Sequence, residues 1–588
     1  MNEQHKQSLL QRLKTSNKEY RNRLMSNELL SNSLLHFLLI FAICANMAGL
    51  FSPVLGSNDA YFYAVIAKHI VTNGDWVNLT FAGQDWLDKP HLPFWLTAIS
   101  YSIFGINSFA YILPGFLCNL LGGYYTYRLA NRLYTPQTGL LAAIFYITAI
   151  HLLLSSIDVR AEAYLLAAIM AACYYWLLYD QEQGIHWAYL IKGAICTALA
   201  TMTKGIFVLL PIFSGLMLLW IYKKELRNFI SRKWGLALLL SFIFILPELI
   251  SLYLQFDAHP DKIVFGHTHV SGLKFFFWDS QVGRFLDTGP IVSGKTSGIG
   301  HYFFFLHTFL WAFLPWSMFL IAALWSMLKN IQIHTEIPKV REHDYNHIYL
   351  MGSIVPTFIL FSLTRFQLDH YTNILVPFAS IFCASWVCLK ATRLNTHLVF
   401  SFQVWLSLLL VALVVLLNIL LFSGITSILI FCACAIVLLA FTLFSKNLPL
   451  NKAIVYPVFA ISLTFVLFML INGKIYAQYD AGYKIAKYLN PYAKLPIVDY
   501  QVDLNSLEFH TQDHYARIAD VAELAQVPKP YYLVVRADEW PQLQEVVPHR
   551  VILDKFVWLR QEKFMSTLFN LQARNHAAIG LLTIFVNR

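Results

Sequence analysis

Apolar runs about as long as a bilayer is thick, roughly 20 residues, recur throughout the first 472 positions of this chain. That repetition constrains the fold more than any other feature: most of the chain must sit in lipid as helices. Composition agrees, because 57% of the 588 residues are hydrophobic and only 13% are charged, whereas ordinary soluble domains are about half apolar and a quarter charged. A soluble enzyme is excluded. The formal net charge of +10 does not point to nucleic acid, since the Lys and Arg residues are scattered in short clusters between apolar segments, as expected where cationic loops face anionic lipid on the cytoplasmic side.

Hydropathy places thirteen spans near 33–54, 107–127, 136–155, 160–179, 187–202, 205–222, 234–253, 301–328, 347–363, 370–389, 397–422, 426–445 and 453–472. Residues 1–32 form a polar segment carrying Lys6, Arg12, Lys14, Lys18, Arg21 and Arg23; it is too long and too charged to be a cleavable signal and reads as a cytoplasmic lead-in. With that end inside, the interior connections hold Arg128 and Arg132, then the Lys223–Lys233 cluster, then Lys329, Lys339 and Arg341, then Lys390 and Arg393, then Lys446 and Lys452. The positive-inside rule is satisfied at every such turn except 180–186. An odd span count leaves residues 473–588 on the opposite face, which predicts a multi-pass membrane protein with an extracytoplasmic C-terminal unit.

That unit differs from the rest in pattern. Short β-rich runs at 496–500, 531–535, 551–553 and 582–586 alternate with helical stretches at 513–526 and 538–546, predicting a small α/β or α+β domain. It carries no catalytic motif, and a structural or docking cap is the simplest reading. All eight cysteines lie in apolar runs and read as small core hydrophobes rather than a disulfide or zinc framework.

The outer connections carry few but specific charges. In 55–106, Asp59 precedes an apolar stripe and Pro93 opens a second one, so two short helices are expected to lie along the membrane surface and roof a cavity. Ionisable groups recur at Asp88-Lys89-Pro90-His91, at Asp158-Val159-Arg160-Ala161-Glu162, at Lys204, at Asp279–Arg284 in the long 254–300 loop, and at Thr364–Tyr371. Each taken alone is ordinary interface decoration, a structural ion pair or a helix cap. Together, Lys89, Lys204 and Arg284 with Asp59, Asp88 and Asp158 make a site hypothesis on one face, because ionisable residues at membrane depth are costly and line cavities. Lys and Arg neutralise phosphate, so an anionic ligand with a lipid tail fits.

The runs Asp59–Ala67, Gly74-Asp75-Trp76, Asp88-Lys89-Pro90, Pro93-Phe94-Trp95-Leu96 and Phe104-Gly105-Ile106 stand in order along the chain. They are followed by Arg132-Leu133-Tyr134, Lys204-Gly205, Gly283-Arg284-Phe285 and Leu314-Pro315-Trp316. In that order they resemble membrane glycosyltransferases of the aminoarabinose transferase and protein mannosyltransferase superfamily, the GT-C group, over most of the first 390 residues. The span count with a soluble domain outside is similar to the bacterial lipid A branch.

The resemblance implies transfer of a sugar from a polyprenyl (undecaprenyl) phosphate carrier to a lipid A, other glycolipid or protein acceptor, with inversion. By position it makes Asp59 the base or acceptor-orienting group and Asp158 a second cavity acid. Lys89 and Lys204, with Arg284, become cations at the donor phosphate, and Tyr371 and Arg160 donor or acceptor contacts. Asp88 sits where relatives often have Glu, sometimes read as a metal ligand. A divalent metal stays open but is not required by the sequence: Ala60 replaces the second acid of a frequent Asp-Glu pair, and Ser280 follows Asp279 where a loop His is found in relatives. A flippase or transporter of lipid-linked sugars is the alternative, and a non-catalytic assembly protein a second one, but transporters keep their ionisable groups near mid-membrane.

Overall fold

Helix Ala161–Gln181 is apolar on every side after its first turn, and a helix of that kind has no face to give to water; it is 89% buried and stands at the centre of the helical part. The structure, a computed structural model, describes residues 31–286, 288, 290, 299–333, 342–365, 367–389, 397–444, 449–490, 495–511 and 515–587. Most of the expected N-terminal segment 1–32, the tip of the 254–300 loop and the basic residues Lys339, Arg341, Lys390, Arg393 and Lys446 lie outside the described residues.

Every one of the thirteen apolar stretches is helical over most of its described length. Among the described residues nine helices are long and apolar enough to cross a membrane, ten if one bent pair is counted as a span. The protein is thus a multi-pass α-helical membrane protein with a small sheet-containing C-terminal part.

Two stretches differ from the expected straight spans. Residues 301–328 form two helices, Tyr302–Ala312 and Ser317–Lys329, bent by 118°; Pro315, at the bend, has no N–H to continue a helix. Residues 136–155 are likewise split, into Pro136–Ile147 and Ile150–Ser155. The two breaks meet. The Ile150 N–H donates to the Leu314 carbonyl at 2.9 Å and the Trp316 indole to Thr148 Oγ1 at 3.0 Å, so backbone and side-chain groups left over at one break are satisfied by the other.

The 55–106 connection holds the two expected short helices, Asn58–Asn73 and Leu92–Phe104, joined through a hairpin that the sequence reading missed, β1 (Thr80–Phe81) and β2 (Gln84–Asp85). Ala82 and Gly83 both have positive φ at its tip, the conformation a tight two-residue hairpin turn demands.

Beyond helix Pro449–Lys474 the chain builds a five-stranded mixed sheet. Its strands are β3 (Ile497–Tyr500), β4 (Tyr515–Ile518), β5 (Tyr531–Arg536), β6 (Arg550–Trp558) and β7 (Ile579–Val586), in the order β4-β3-β5-β7-β6. β3 runs parallel to β4 and β5, and β7 antiparallel to β5 and β6. The four expected strands are all present. The expected helix 513–526 is instead strand β4 followed by a short helix Val521–Gln526, and 538–546 keeps only Trp540–Leu543. β4 is an edge strand of four residues, too short for its alternation to outweigh the helical pattern next to it. The short helix Asn505–His510 of this unit packs against helix Asn58–Asn73, so the C-terminal part stands on the same side of the helical body as the 55–106 loop.

Candidate active site

The turn before helix Ala161–Gln181 is pinned by small residues and a tyrosine. Asp158 lies against Gly56, where a Cβ would come within 3.0 Å of the Asp158 Cα. Val159 presses on Gly115, and the Tyr111 hydroxyl donates to the Val159 carbonyl at 2.5 Å. This turn therefore presents Asp158, Arg160 and Glu162 in a fixed direction. Arg160 joins the two acids singled out as catalytic, with Nη1 at 3.2 Å from Asp59 and Nη2 at 2.8 Å from Asp158. Ser57 donates to the other Asp158 oxygen. Asp59, in the first turn of its helix, stays 57% exposed at the rim.

Lys204 ends helix Trp187–Lys204 because Gly205 follows with φ +95°, a conformation open to glycine, and the Gln281 side chain fills the space a Cβ there would take. Lys204 is buried, paired with the equally buried Glu162, and lies 4.2 Å above the Tyr371 ring. The two charges stand at adjoining ends of consecutive helices, Glu162 in the first turn of Ala161–Gln181 and Lys204 at the close of Trp187–Lys204, and the pairing is what allows either to be buried. On the other side of Glu162 stands His370, at 3.6 Å, whose ring also meets Asp369 at 3.2 Å.

Asp88 is gripped by two cations, Lys89 at 2.6 Å and Arg284. Arg284 follows the widened helix Phe275–Gly283 of the long loop. Burial by itself would raise the Asp88 carboxyl, but Lys89 and Arg284 outweigh it and hold it at about 2. A depressed carboxylate stabilises the fold above its ordinary value of 3.8 and ceases to as pH falls through about 2. Thermal melts should therefore show wild-type protein losing stability between about pH 4 and 2 more steeply than an Asp88→Asn variant; parallel curves would show that the pairing carries no linkage.

Two cavities open between these groups. The larger, about 410 Å³, has walls of Ile206, Phe207, Leu252, Phe275, Phe276 and Phe361, and its polar end is made by Asp88, Lys89, Lys204, Arg284 and Tyr371. The smaller, about 130 Å³, is lined by His151, Asp158, Arg160, Glu162, Trp311, Asp369 and His370. The Lys204–Glu162 pair forms the partition, one member facing each cavity. Asp59 lines neither and touches the smaller one through Arg160.

All eight residues chosen from the sequence thus gather in one region, drawn from five separate connections. Several neighbours were passed over. Glu248 lines the larger cavity and receives the His91 N–H at 3.0 Å and its Nδ1 at 3.0 Å. Burial would lower the His91 imidazole, but Glu248 beside it lifts it above its ordinary value. A lone Glu inside the apolar run Phe244–Leu249 was the signal available. Glu162, Asp369 and His370 stand within motifs already singled out and His151 within an apolar run, and they meet only through the fold.

The donor set does not fit a metal at Asp88. Both its oxygens face cations, and among the described residues no group of three His, Cys, Asp or Glu side chains stands close enough to hold an ion.

The bent span, the outer-loop helices and the sheet unit beyond the last span define the class of fold, an ArnT-like GT-C fold, as the sequence resemblance implies. Within that class the similarity runs to aminoarabinose transferases. The structure superposes on ArnT from Cupriavidus metallidurans in the apo state with a TM-score of 0.67, covering 94% of this chain and 98% of that one at 15% identity. The same protein bound to undecaprenyl phosphate gives 0.64 at 16% identity.

In sequence, the family described as dolichyl-phosphate-mannose-protein mannosyltransferase matches residues 88–250. The undecaprenyl phosphate-alpha-4-amino-4-deoxy-L-arabinose arabinosyl transferase of Yersinia enterocolitica is 26% identical over 409 residues, 66% of each chain. That of Edwardsiella ictaluri is 24% identical over 323 residues, 54% of this chain and 53% of the relative. The chain therefore spans between about half and two thirds of the length of these curated relatives.

Proposed function

We propose that this protein is an integral membrane glycosyltransferase that moves a sugar from a polyprenyl (undecaprenyl) phosphate to a lipid A, other glycolipid or protein acceptor, with inversion. The observation that carries the reading is the larger cavity, whose apolar walls run up to Lys89, Lys204 and Arg284. Such a cavity suits an isoprenoid tail with a phosphate at its polar end. The arabinosyl transferase relatives and the undecaprenyl phosphate-bound neighbour support the same donor.

In this reading the acceptor hydroxyl oxygen attacks the anomeric carbon from the side opposite the phosphate. The bond from that carbon to the phosphate oxygen breaks, and the hydroxyl proton passes to a carboxylate, Asp59 by preference, with Asp158 beside it. Polyprenyl phosphate leaves with its negative charge steadied by the three cations. No strong nucleophile is needed, because the donor already carries its leaving group; alignment and charge stabilisation supply most of the acceleration. Arg160 orients both acids, and Tyr371 lines the cavity beside Lys204, its ring under the ammonium. The transmembrane part extends over 33–472 and the extracytoplasmic unit over 473–588, with the N-terminus cytoplasmic, the membrane being the inner one.

The test uses purified protein in lipid nanodiscs with an undecaprenyl-phosphate sugar. Product formation is expected, and translocation of the donor without product would favour the flippase reading. Lys89→Ala should weaken undecaprenyl phosphate binding by about tenfold or more, as expected for the loss of one charged hydrogen bond. Unchanged affinity would remove Lys89 from the phosphate site.

A further inference from the structure

The helix that carries Asp59 is held from above by the C-terminal unit. Its residue Asn58, next to Asp59, accepts through Oδ1 from Asn505 Nδ2 at 2.9 Å. Two positions past Asp59, the Tyr61 hydroxyl donates to the buried Asp480 carboxylate at 2.9 Å and itself accepts from the Leu55 N–H at 3.2 Å. Further along the same helix the buried Lys68 ammonium donates to the carbonyls of Glu508 and Thr511 at 2.5 and 2.6 Å. These are the last carbonyls of the short helix Asn505–His510 and its cap, where a cation is favoured. His69 Nε2 stands 2.9 Å from Glu508 Oε1, and Arg517 of β4 holds the other Glu508 oxygen at 2.5 Å. Burial would raise the Glu508 carboxyl, but His69 and Arg517 keep it below its ordinary value.

Apolar packing reinforces the grip. Phe509 is buried inside the aromatic cluster of the outer loop, with its ring 5.8 Å from Tyr61, 6.4 Å from Tyr101 and 6.5 Å from Tyr111. Tyr111 in turn fixes the Val159 carbonyl, in the turn that presents Asp158 and Arg160. The C-terminal unit therefore bonds on both sides of Asp59 and packs against the residue that sets the Asp158 turn.

We infer that residues Asp480, Asn505, Glu508 and Phe509 of the C-terminal unit are positioning residues for the Asp59–Arg160–Asp158 triad, so that this unit is a working part of the transferase rather than a passive cap. The inference rests on the transferase reading above. Asp59 is exposed and anchored in the site through one arginine; without Asn505 and Asp480 the first turn of its helix loses its outer supports. A displacement of about 1 Å at a reacting group costs up to about a hundredfold in rate, whereas the lipid cavity is built from other elements and should not change.

The test compares Asn505→Ala, Glu508→Ala and the conservative Asn505→Gln and Glu508→Gln in full-length protein in nanodiscs. It measures kcat, donor KM and melting temperature, together with hydrogen exchange over residues 55–66. The alanine variants should lose about tenfold in kcat or more, with donor KM unchanged and exchange at 55–66 accelerated; Asn505→Ala should keep the wild-type melting temperature, whereas Glu508→Ala lowers it by leaving Arg517 unpaired. The glutamine variants should recover most of the rate. Wild-type kcat in both alanine variants overturns the inference while leaving the transferase reading intact; so does a loss of rate in Asn505→Ala that tracks a fall in its melting temperature, which would make the contacts merely structural. If wild-type protein forms no product, the transferase reading fails and the inference falls with it.

Discussion

Lys204→Met is expected to abolish sugar transfer and to destabilise the protein by about 3–5 kcal/mol, the cost of leaving one charge of a buried pair without its partner. Lys204 and Glu162 are both buried, on different helices, and each is the other's direct counter-charge. The double variant Lys204→Met with Glu162→Gln should regain most of the lost stability, because it removes the orphaned carboxylate. It should regain none of the activity, because the phosphate end of the cavity has lost a cation and its contact with the Tyr371 ring. Thermal melts in detergent and the nanodisc transfer assay read the two effects separately. Equal stability in the single and double variants would show that the pair is not coupled. Full activity in the double variant would remove Lys204 from the donor site.

Asp59→Asn should lower transfer by about 10²–10⁴-fold, the usual contribution of a general base, with undecaprenyl phosphate affinity unchanged. The two acids on Arg160 are not equivalent. Both Asp158 oxygens are engaged, one by Arg160 and one by Ser57, whereas Asp59 meets Arg160 through Oδ2 and is more than half exposed. Asp158→Asn should therefore act mainly through the placement of Arg160, with a loss nearer tenfold. Single-turnover rates at saturating donor distinguish the two, since they report the chemical step without donor binding. A larger loss for Asp158→Asn than for Asp59→Asn would exchange the two roles.

The chain's own pattern carried much of this. Bilayer-length apolar runs located every long helix, because a segment in hydrocarbon must be apolar whatever it packs against. Charges out of place in that pattern, at Asp59, Asp88, Lys89, Asp158, Arg160, Lys204 and Arg284, mark residues that the fold gathers into the candidate site. The strands β3, β5, β6 and β7 were readable from β-branched and aromatic runs. Where hydropathy misled, it did so for one reason: it averages over a window and is insensitive to backbone geometry. The elbow at Pro315 and the break at Thr148-Ala149 kept their apolar character, so 301–328 and 136–155 looked like straight spans.

By itself the sequence determined that this is a polytopic helical membrane protein, which connections hold ionisable residues, and that a small sheet domain follows the last span. Only the tertiary structure decided which charge meets which. It set Glu162 rather than an aspartate against Lys204, Arg284 against Asp88 nearly two hundred positions away, Glu248 under His91, and the Asn505–His510 helix over Asp59. Hydrophobic periodicity is a local property of a few turns of chain, whereas an ion pair is fixed by the packing of elements far apart in sequence, and local pattern carries no information on those partners.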